Sequence, residues 1–330
     1  VTALSPTTRS RIAAIDVARG VAIVAMIIYH FTWDLAYLGF VAFDPTQSLP
    51  WVVFQKAIAG TFIFLTGVSL VLAHGAAIRW PAFWRRFAFI AGAALLVTIG
   101  TFAFSSQTFV YFGVLHAIAA FGLMGLAFLR LPLALVAVLA VVIIGLPLFV
   151  QSPVFGEKLW SWIGLWDVPP PSEDLVPLFP WFGVALAGIA ATRWALASGL
   201  ASTMARYRAE ETIGALLARL GRWSLIIYLL HQPILIGALT ALSAATGTAD
   251  ARRAEGFVAS CEASCGDSAG DAAYCTAYCA CALDRVEAED LWSILEAGER
   301  TPEQEALLIG LTNQCAIEAL DPGLLAPDQE

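Results

Sequence analysis

Seven stretches of this chain are runs of apolar residues, at about 12–35, 51–74, 84–104, 109–129, 131–150, 175–197 and 222–245. As helices rising about 1.5 Å per residue, such runs approach or exceed the ~30 Å of a bilayer's hydrocarbon core. The pattern predicts an all-α, polytopic membrane protein with seven transmembrane helices. Beyond residue 246 the apolar runs stop. Thr301-Pro302-Glu303-Gln304-Glu305 reads there as a helix start, with Thr as N-cap, Pro at the first position and acids in the first turn.

The first run is not uniformly apolar. Arg11–Leu38 carries Asp16, Arg19, His30, Asp34 and Tyr37. On a helix these fall within one stripe about 60° wide, with Ile12, Val17, Val21, Val24 and Ile28 mostly off it. Asp16 and Asp34 are separated by roughly 27 Å along the axis, close to the thickness of the core. A charge at mid-membrane costs on the order of 2.5–3.5 kcal/mol or more, so such residues face protein or water and mark a functional path. The plainer alternative is an interhelical ion pair with a satisfied histidine.

Composition agrees. The chain of 330 residues is 59% apolar and 13% charged, against about a quarter charged in soluble domains. The net charge of −8 conceals a division. Residues 1–246 hold 14 Lys/Arg against 9 Asp/Glu, and residues 247–330 hold 4 against 17. Two domains are expected: a transmembrane bundle over 1–246 and an acidic, cysteine-bearing helical module over 247–330. The first run is long, polar-striped and without a small-residue cleavage site, so no cleavable signal peptide is expected. Loops on one side hold Arg9, Arg11, Arg79, Arg85, Arg86, Arg130, Arg193, Arg206, Arg208, Arg219 and Arg222, and interhelical loops on the other hold only Lys158. The positive-inside rule then makes the N-terminus cytoplasmic and the tail extracytoplasmic.

All six cysteines lie in that tail, as an oxidising compartment permits. Cys261/Cys265 and Cys275/Cys279 are spaced i,i+4, one face of each of two helices, with GDSAGDAAY as the turn between them. Pairings Cys261–Cys279 and Cys265–Cys275, leaving Cys281–Cys315 for a third helix, fit that spacing. Six cysteines allow about fifteen pairings, and zinc is the competing use. The tail holds no histidine.

Further candidates lie in other spans. Lys56, Gly60, Gly67 and His74 share a face of the second, where the glycines read as packing positions and His74 as a solvated end residue. His116 sits about 10 Å into the fourth. In the seventh, Ser224, Tyr228 and His231 lie on one face, and Pro233 is expected to kink the helix beside His231. Histidine exchanges protons near neutral pH, and His30, His116 and His231 are expected to meet. The Trp- and Pro-rich loop 151–176 reads as an interfacial belt or a carbohydrate platform at the outer mouth.

The segments RIAAIDVARGVAI, YHFTWDL, FIFLTGVSLVLA, FGVLHAIA, PLFPWFGVALAGIA and WSLIIYLLHQP together resemble the bacterial branch of the heparan-α-glucosaminide N-acetyltransferase catalytic-domain family, which belongs with the transmembrane acyltransferases. The resemblance covers about residues 9–240, without the tail. It implies an integral protein of a bacterial inner membrane that passes an acyl group, with acetyl expected, from cytoplasmic acyl-CoA to an extracytoplasmic glycan or other small acceptor. Acyl-CoA, with acetyl-CoA expected, is then the cosubstrate, and no metal is expected. Asp16, Arg19 and Tyr228 are the candidate cofactor contacts, since arginine suits phosphates. His30, Asp34, His116 and His231 are the candidate catalytic residues, with His30, oriented by Asp34, as base or acyl acceptor. In the lysosomal relative the proposed catalytic histidine lies in the first external loop; here that loop, GFVAFDPTQSLP, has none, so the residue is not carried over. Membrane lipid and a small acceptor are the expected partners and nucleic acid is not; a protein partner for the tail and a homo-oligomer stay open. The same stripe also suits a solute transporter, although no internal repeat is evident, and the bundle also suits an anchor for the tail.

Overall fold

The structure is a computed structural model that describes residues 12–200, 212–269, 271–295 and 300–320. Arg9, Arg11, Arg206 and Arg208 lie outside the described residues. Among the described residues regular structure is helical, apart from one isolated parallel bridge between Phe112 and Leu175. The chain divides into two compact units. One contains the chain up to Ala36 and Phe43–Ala238; the other contains Tyr37–Ala42 and the chain from Leu239.

The first unit is a helical bundle. Its elements are α1 (Ala13–Tyr37), α2 (Leu49–His74), α3 (Trp80–Phe104), α4 (Val114–Gly125), α5 (Leu133–Gly145), α6 (Leu178–Ala197), α7 (Thr212–Arg222) and α8 (Ser224–Thr246), the last running on into the second unit. Four of these, α1, α2, α3 and α8, are long and apolar enough to cross a membrane. The fourth and fifth apolar runs give shorter helices, Val114–Phe128 and Leu133–Leu148 when their closing 3-10 turns are included. The cause at α4 is visible in the backbone. Residues 109–113, expected to be helical, run with Thr108 alongside Ser172–Val176 instead: Glu173 N–H donates to Thr108 O at 2.8 Å and Val176 N–H to Phe112 O at 3.0 Å. Backbone groups satisfied in this way no longer need a helix at membrane depth. The seventh run also begins differently. Residues before Trp223, expected as loop, form the separate helix α7, with Arg219 and Arg222 in its last turn and Ile213 and Leu216 exposed. Pro233 lies inside the single helix α8, where a kink was expected.

The bundle core is built by α2, α4, α5 and α6, with Ile63, Phe121, Val136, Phe182, Leu186 and Ile189 almost fully buried. The outward faces are apolar as well. On α3 Phe89, Leu95, Leu96 and Ile99 are more than half exposed. Apolar surface on that scale faces lipid or a partner, not water. α2 and α6 approach backbone to backbone: a Cβ on Gly67 would lie 2.1 Å from Ala185 O, and one on Gly188 would lie 2.2 Å from Phe64 O. This is the small-residue packing expected of Gly67. Gly60 meets only Trp181, in ordinary contact.

The second unit carries α9 (Thr248–Ala269), α10 (Ala272–Ala288), the short α11 (Trp292–Leu295) and α12 (Pro302–Leu320). Its disulfides join Cys261–Cys279, Cys265–Cys275 and Cys281–Cys315. These are the pairings that fit the spacing, and they leave no thiolate for zinc. The turn is shorter than GDSAGDAAY, because α9 continues to Ala269 and Asp271 caps α10, accepting from Ala273 N–H at 2.9 Å. At α12 the Thr301 hydroxyl accepts from Gln304 N–H while the Gln304 side chain accepts from Thr301 N–H, a reciprocal capping box. Val286, Leu291, Leu311 and Cys315 form a small core with Phe257 and Trp292 around it. A core this small is reinforced by its covalent staples.

Gly188→Leu should push α6 off α2 at a cost of about 1–3 kcal/mol or more, read as a lower unfolding midpoint in detergent. Gly100→Leu, where nothing lies within 4 Å of the added Cβ, should leave the midpoint in place. Equal midpoints for both variants would contradict the close crossing.

Candidate active site

α1 turns its polar edge inward. Asp16 and Asp34 are buried, Asp34 completely, together with Gly20, Ile23, Met26 and Tyr29. Val21, Ile28 and Phe31 are exposed. The edge has two ends with different partners, and Arg19 and His30 are about 16 Å apart along the axis.

At the C-terminal end, α1 meets α8. The His30 and His231 rings make an edge contact with centroids 4.9 Å apart. Asp34 Oδ1 accepts from Gln232 Nε2 at 2.6 Å. His231 Nδ1 lies 2.7 Å from the Tyr228 carbonyl oxygen. A carbonyl can only accept, so Nδ1 carries the proton and Nε2 presents its lone pair. Asp34 Oδ2, His231 Nε2 and Gln232 Oε1 are buried without a hydrogen-bond partner among the described residues. Buried polar atoms are rarely left so, and three acceptors in this region suit a ligand bearing polar hydrogens.

The neighbouring tie is made by Asp174. Its Oδ2 accepts from Val114 N–H at 2.7 Å, at the N-terminus of α4, and from the Tyr228 hydroxyl at 3.5 Å. A carboxylate there offsets the helix dipole and satisfies an otherwise unpaired donor. Gly113 is needed beside it, because a Cβ would lie 2.4 Å from Asp174 Oδ2. Burial raises the Asp174 pKa to about 6, against the opposing effect of the hydrogen bonds from Val114 and Tyr228.

His116 is held differently. Its Nδ1 accepts from Gly113 N–H at 3.2 Å, and its Nε2 lies 3.2 Å from Thr98 Oγ1, which itself donates to Val110 O. Both ring nitrogens are engaged in shaping the start of α4, and the ring lies against Phe112. The three-histidine contact expected from the sequence therefore reduces to a pair. Among the described residues His116 makes no ring contact with His30 or His231. Tyr228 lies with the histidine pair and Asp174, while Asp16 and Arg19 belong to the other end of α1.

At that other end Arg19 forms an ion pair with Asp16 at 3.4 Å and donates to the Ser69 hydroxyl of α2. Ser69 opens onto a small cleft between α2, α3 and α4, lined also by Thr66, His74, Phe83, Arg86 and Gly122. His74 corrects the sequence expectation: it is buried, not solvated. The chain reverses after α2, so Arg79 N–H donates to His74 Nδ1 at 3.2 Å and Phe83 packs on the ring. Gln232 and Ser69 were not singled out by the sequence, Arg86 entered only as a sign of membrane orientation, and Asp174 only as one acid of the 151–176 loop. For Gln232 the only signal was its place in the LLHQP segment; its partner lies 198 residues away.

The family model "Heparan-alpha-glucosaminide N-acetyltransferase, catalytic" matches residues 11–233. The chain belongs to that family. The match spans the polar edge of α1 and ends just beyond His231 and Gln232, leaving all six cysteines outside it. The family and the apolar helices together make this an integral membrane protein. No curated protein and no solved structure matches the chain.

Because burial lifts the Asp174 pKa above its unfolded value, the folded state binds the extra proton between about pH 4 and 6. Stability from this group is therefore highest at the acid side of that window and falls as pH rises through 6. Asp174→Asn keeps an acceptor for Val114 N–H and should flatten that part of the profile, measured as unfolding midpoint from pH 4 to 8. An unchanged slope would remove Asp174 as its source.

Proposed function

We propose that the protein is a transmembrane acyltransferase that moves an acyl group, acetyl in the first instance, from cytoplasmic acyl-CoA to an amine or hydroxyl of a glycan or other small acceptor on the far side. The observation that carries this reading is the division of α1 into two ends: Arg19 beside a cleft containing Arg86 and His74, and the His30–Asp34 segment against His231 and Gln232. Family membership supports acyl transfer. The arginine excess on one set of loops supports seven crossings with the N-terminus in the cytoplasm.

In this reading Arg19, Arg86 and His74 hold the CoA phosphates, for which guanidinium groups are suited. The thioester reaches along α1 toward His30. His231 Nε2 takes the proton from the acceptor as its nitrogen or oxygen attacks the thioester carbonyl. The new C–N or C–O bond forms, the C–S bond breaks, and the proton passes to the CoA thiolate. Asp34 and Gln232 orient the acceptor through their unpaired oxygens. His116 serves the shape of α4, and its loss should act through stability.

The purified chain in lipid nanodiscs, given acetyl-CoA and a panel of amino sugars, should release free CoA and form the acetylated acceptor. His231→Ala should lower kcat by about 100-fold or more, in keeping with the usual contribution of a general base, with acetyl-CoA binding retained. Arg86→Gln should raise the acetyl-CoA KM with kcat nearly unchanged. Wild-type protein that neither binds CoA nor turns over any acyl-CoA would overturn the proposal.

A further inference from the structure

The helix that carries His30 and Asp34 ends in an unfavourable way. Its last turn holds the acid Asp34 and no basic residue, at the end of a helix where the backbone dipole is negative. The carbonyl of Tyr37 belongs to this last turn, where partners come from outside the helix. It is met from far along the chain: Arg252 Nη1, in the first turns of α9, donates to Tyr37 O at 3.3 Å.

A second observation concerns the same contact. Gly39 has φ +81°, and a Cβ there would lie 1.5 Å from Arg252 Cδ and 2.3 Å from Cγ. The loop after α1 is thus shaped around the arginine stem, with no room for a side chain. Tyr37–Ala42 also groups with the chain from Leu239 onward, not with the bundle. The cysteine-bearing unit therefore includes the end of α1, three residues beyond Asp34.

We propose that Arg252 is a positioning residue: it caps the C-terminus of α1 and thereby holds the turn bearing Asp34 in place against Gln232. The carboxylate has little tolerance for fraying, being fully buried and 2.6 Å from its partner. A cation at a helix C-terminus stabilises the last turn through the dipole and through the unpaired carbonyls. The cysteine-bearing part of that unit, from Leu239 onward, lies outside the family match and then becomes a working part of this protein: its disulfides hold α9, and α9 holds the end of α1. The consequence for catalysis rests on the acyl-transfer reading; the cap itself does not.

The test uses the full chain in nanodiscs and the variants Arg252→Gln, Arg252→Lys and Gly39→Ala. Hydrogen exchange of the backbone amides at 34–42 should quicken about three- to tenfold in Arg252→Gln, return toward wild type in Arg252→Lys, and quicken again in Gly39→Ala, which pushes the loop off the arginine from the other side. Turnover should fall by a similar factor in kcat, since displaced catalytic groups lower the chemical step. The acetyl-CoA KM should hold, because the Arg252–Tyr37 contact lies at the opposite end of α1 from Arg19. Unchanged exchange in Arg252→Gln and Gly39→Ala would overturn the cap. Faster exchange with unchanged kcat would overturn the positioning role. A wild-type protein without any turnover would overturn the acyl-transfer reading and the catalytic consequence, while the exchange arm still decides the cap.

Discussion

An ionisable side chain inside an apolar bundle must find a partner, and that requirement governs how α1 is placed. Leaving such a group unpaired costs several kcal/mol, more than most single packing contacts return. Asp16, Arg19 and Asp34 are accordingly each tied to something definite. Arg19 reaches Ser69 of α2 and Asp16 of its own helix. Asp34 reaches Gln232 of α8. Together these ties fix the rotation of α1 about its axis, while Val21, Ile28 and Phe31 are left to face outward. The backbones then close in where side chains are missing: a Cβ on Gly20 would lie 2.0 Å from Leu217 O, and one on Gly221 would lie 1.9 Å from Asp16 O. Neither arrangement tolerates a different rotation of α1.

The same requirement explains the irregular backbone between α3 and α4. Thr108–Gly113 forgoes its helix yet leaves few polar groups unpaired, because Ser172–Val176, Thr98 and Thr101 supply partners. His116 and Asp174 complete that arrangement, one accepting from Gly113 N–H and the other from Val114 N–H. Asp174 also touches Tyr228, whose carbonyl holds the proton on His231 Nδ1. An element whose immediate task is to finish a helix end thus bears on the histidine that offers the free lone pair. Three of the bundle's polar groups, the buried His74 and the half-buried His116 and Asp174, serve backbone ends in this way.

The second unit meets the problem of a small core with covalent closure. Its helices are marked by local chemistry: Asp271 and Thr301 as caps, and cysteines four residues apart. Such signals act over one or two helical turns, and for that reason they can be read without the fold. The disulfide pairings were legible on the same ground, since antiparallel neighbours joined by a short turn leave few geometries for two i,i+4 pairs.

The amino-acid sequence by itself determined the apolar runs, the inward polar edge of α1, the small-residue packing at Gly67 and the disulfide framework. All of these follow from periodicity or spacing within one segment. Only the tertiary structure decided which histidines meet. His30, His116 and His231 are equally histidines on apolar helices, and hydropathy cannot distinguish a ring whose two nitrogens serve the start of α4 from one whose Nε2 is left unpaired. Tertiary structure likewise decided that His74 is buried, that residues 109–113 are not helical, and that Gln232 is the partner of Asp34. The physical reason is common to these cases. Hydrogen-bond satisfaction is settled by groups brought together from opposite ends of the chain, and no local pattern records which of them will arrive.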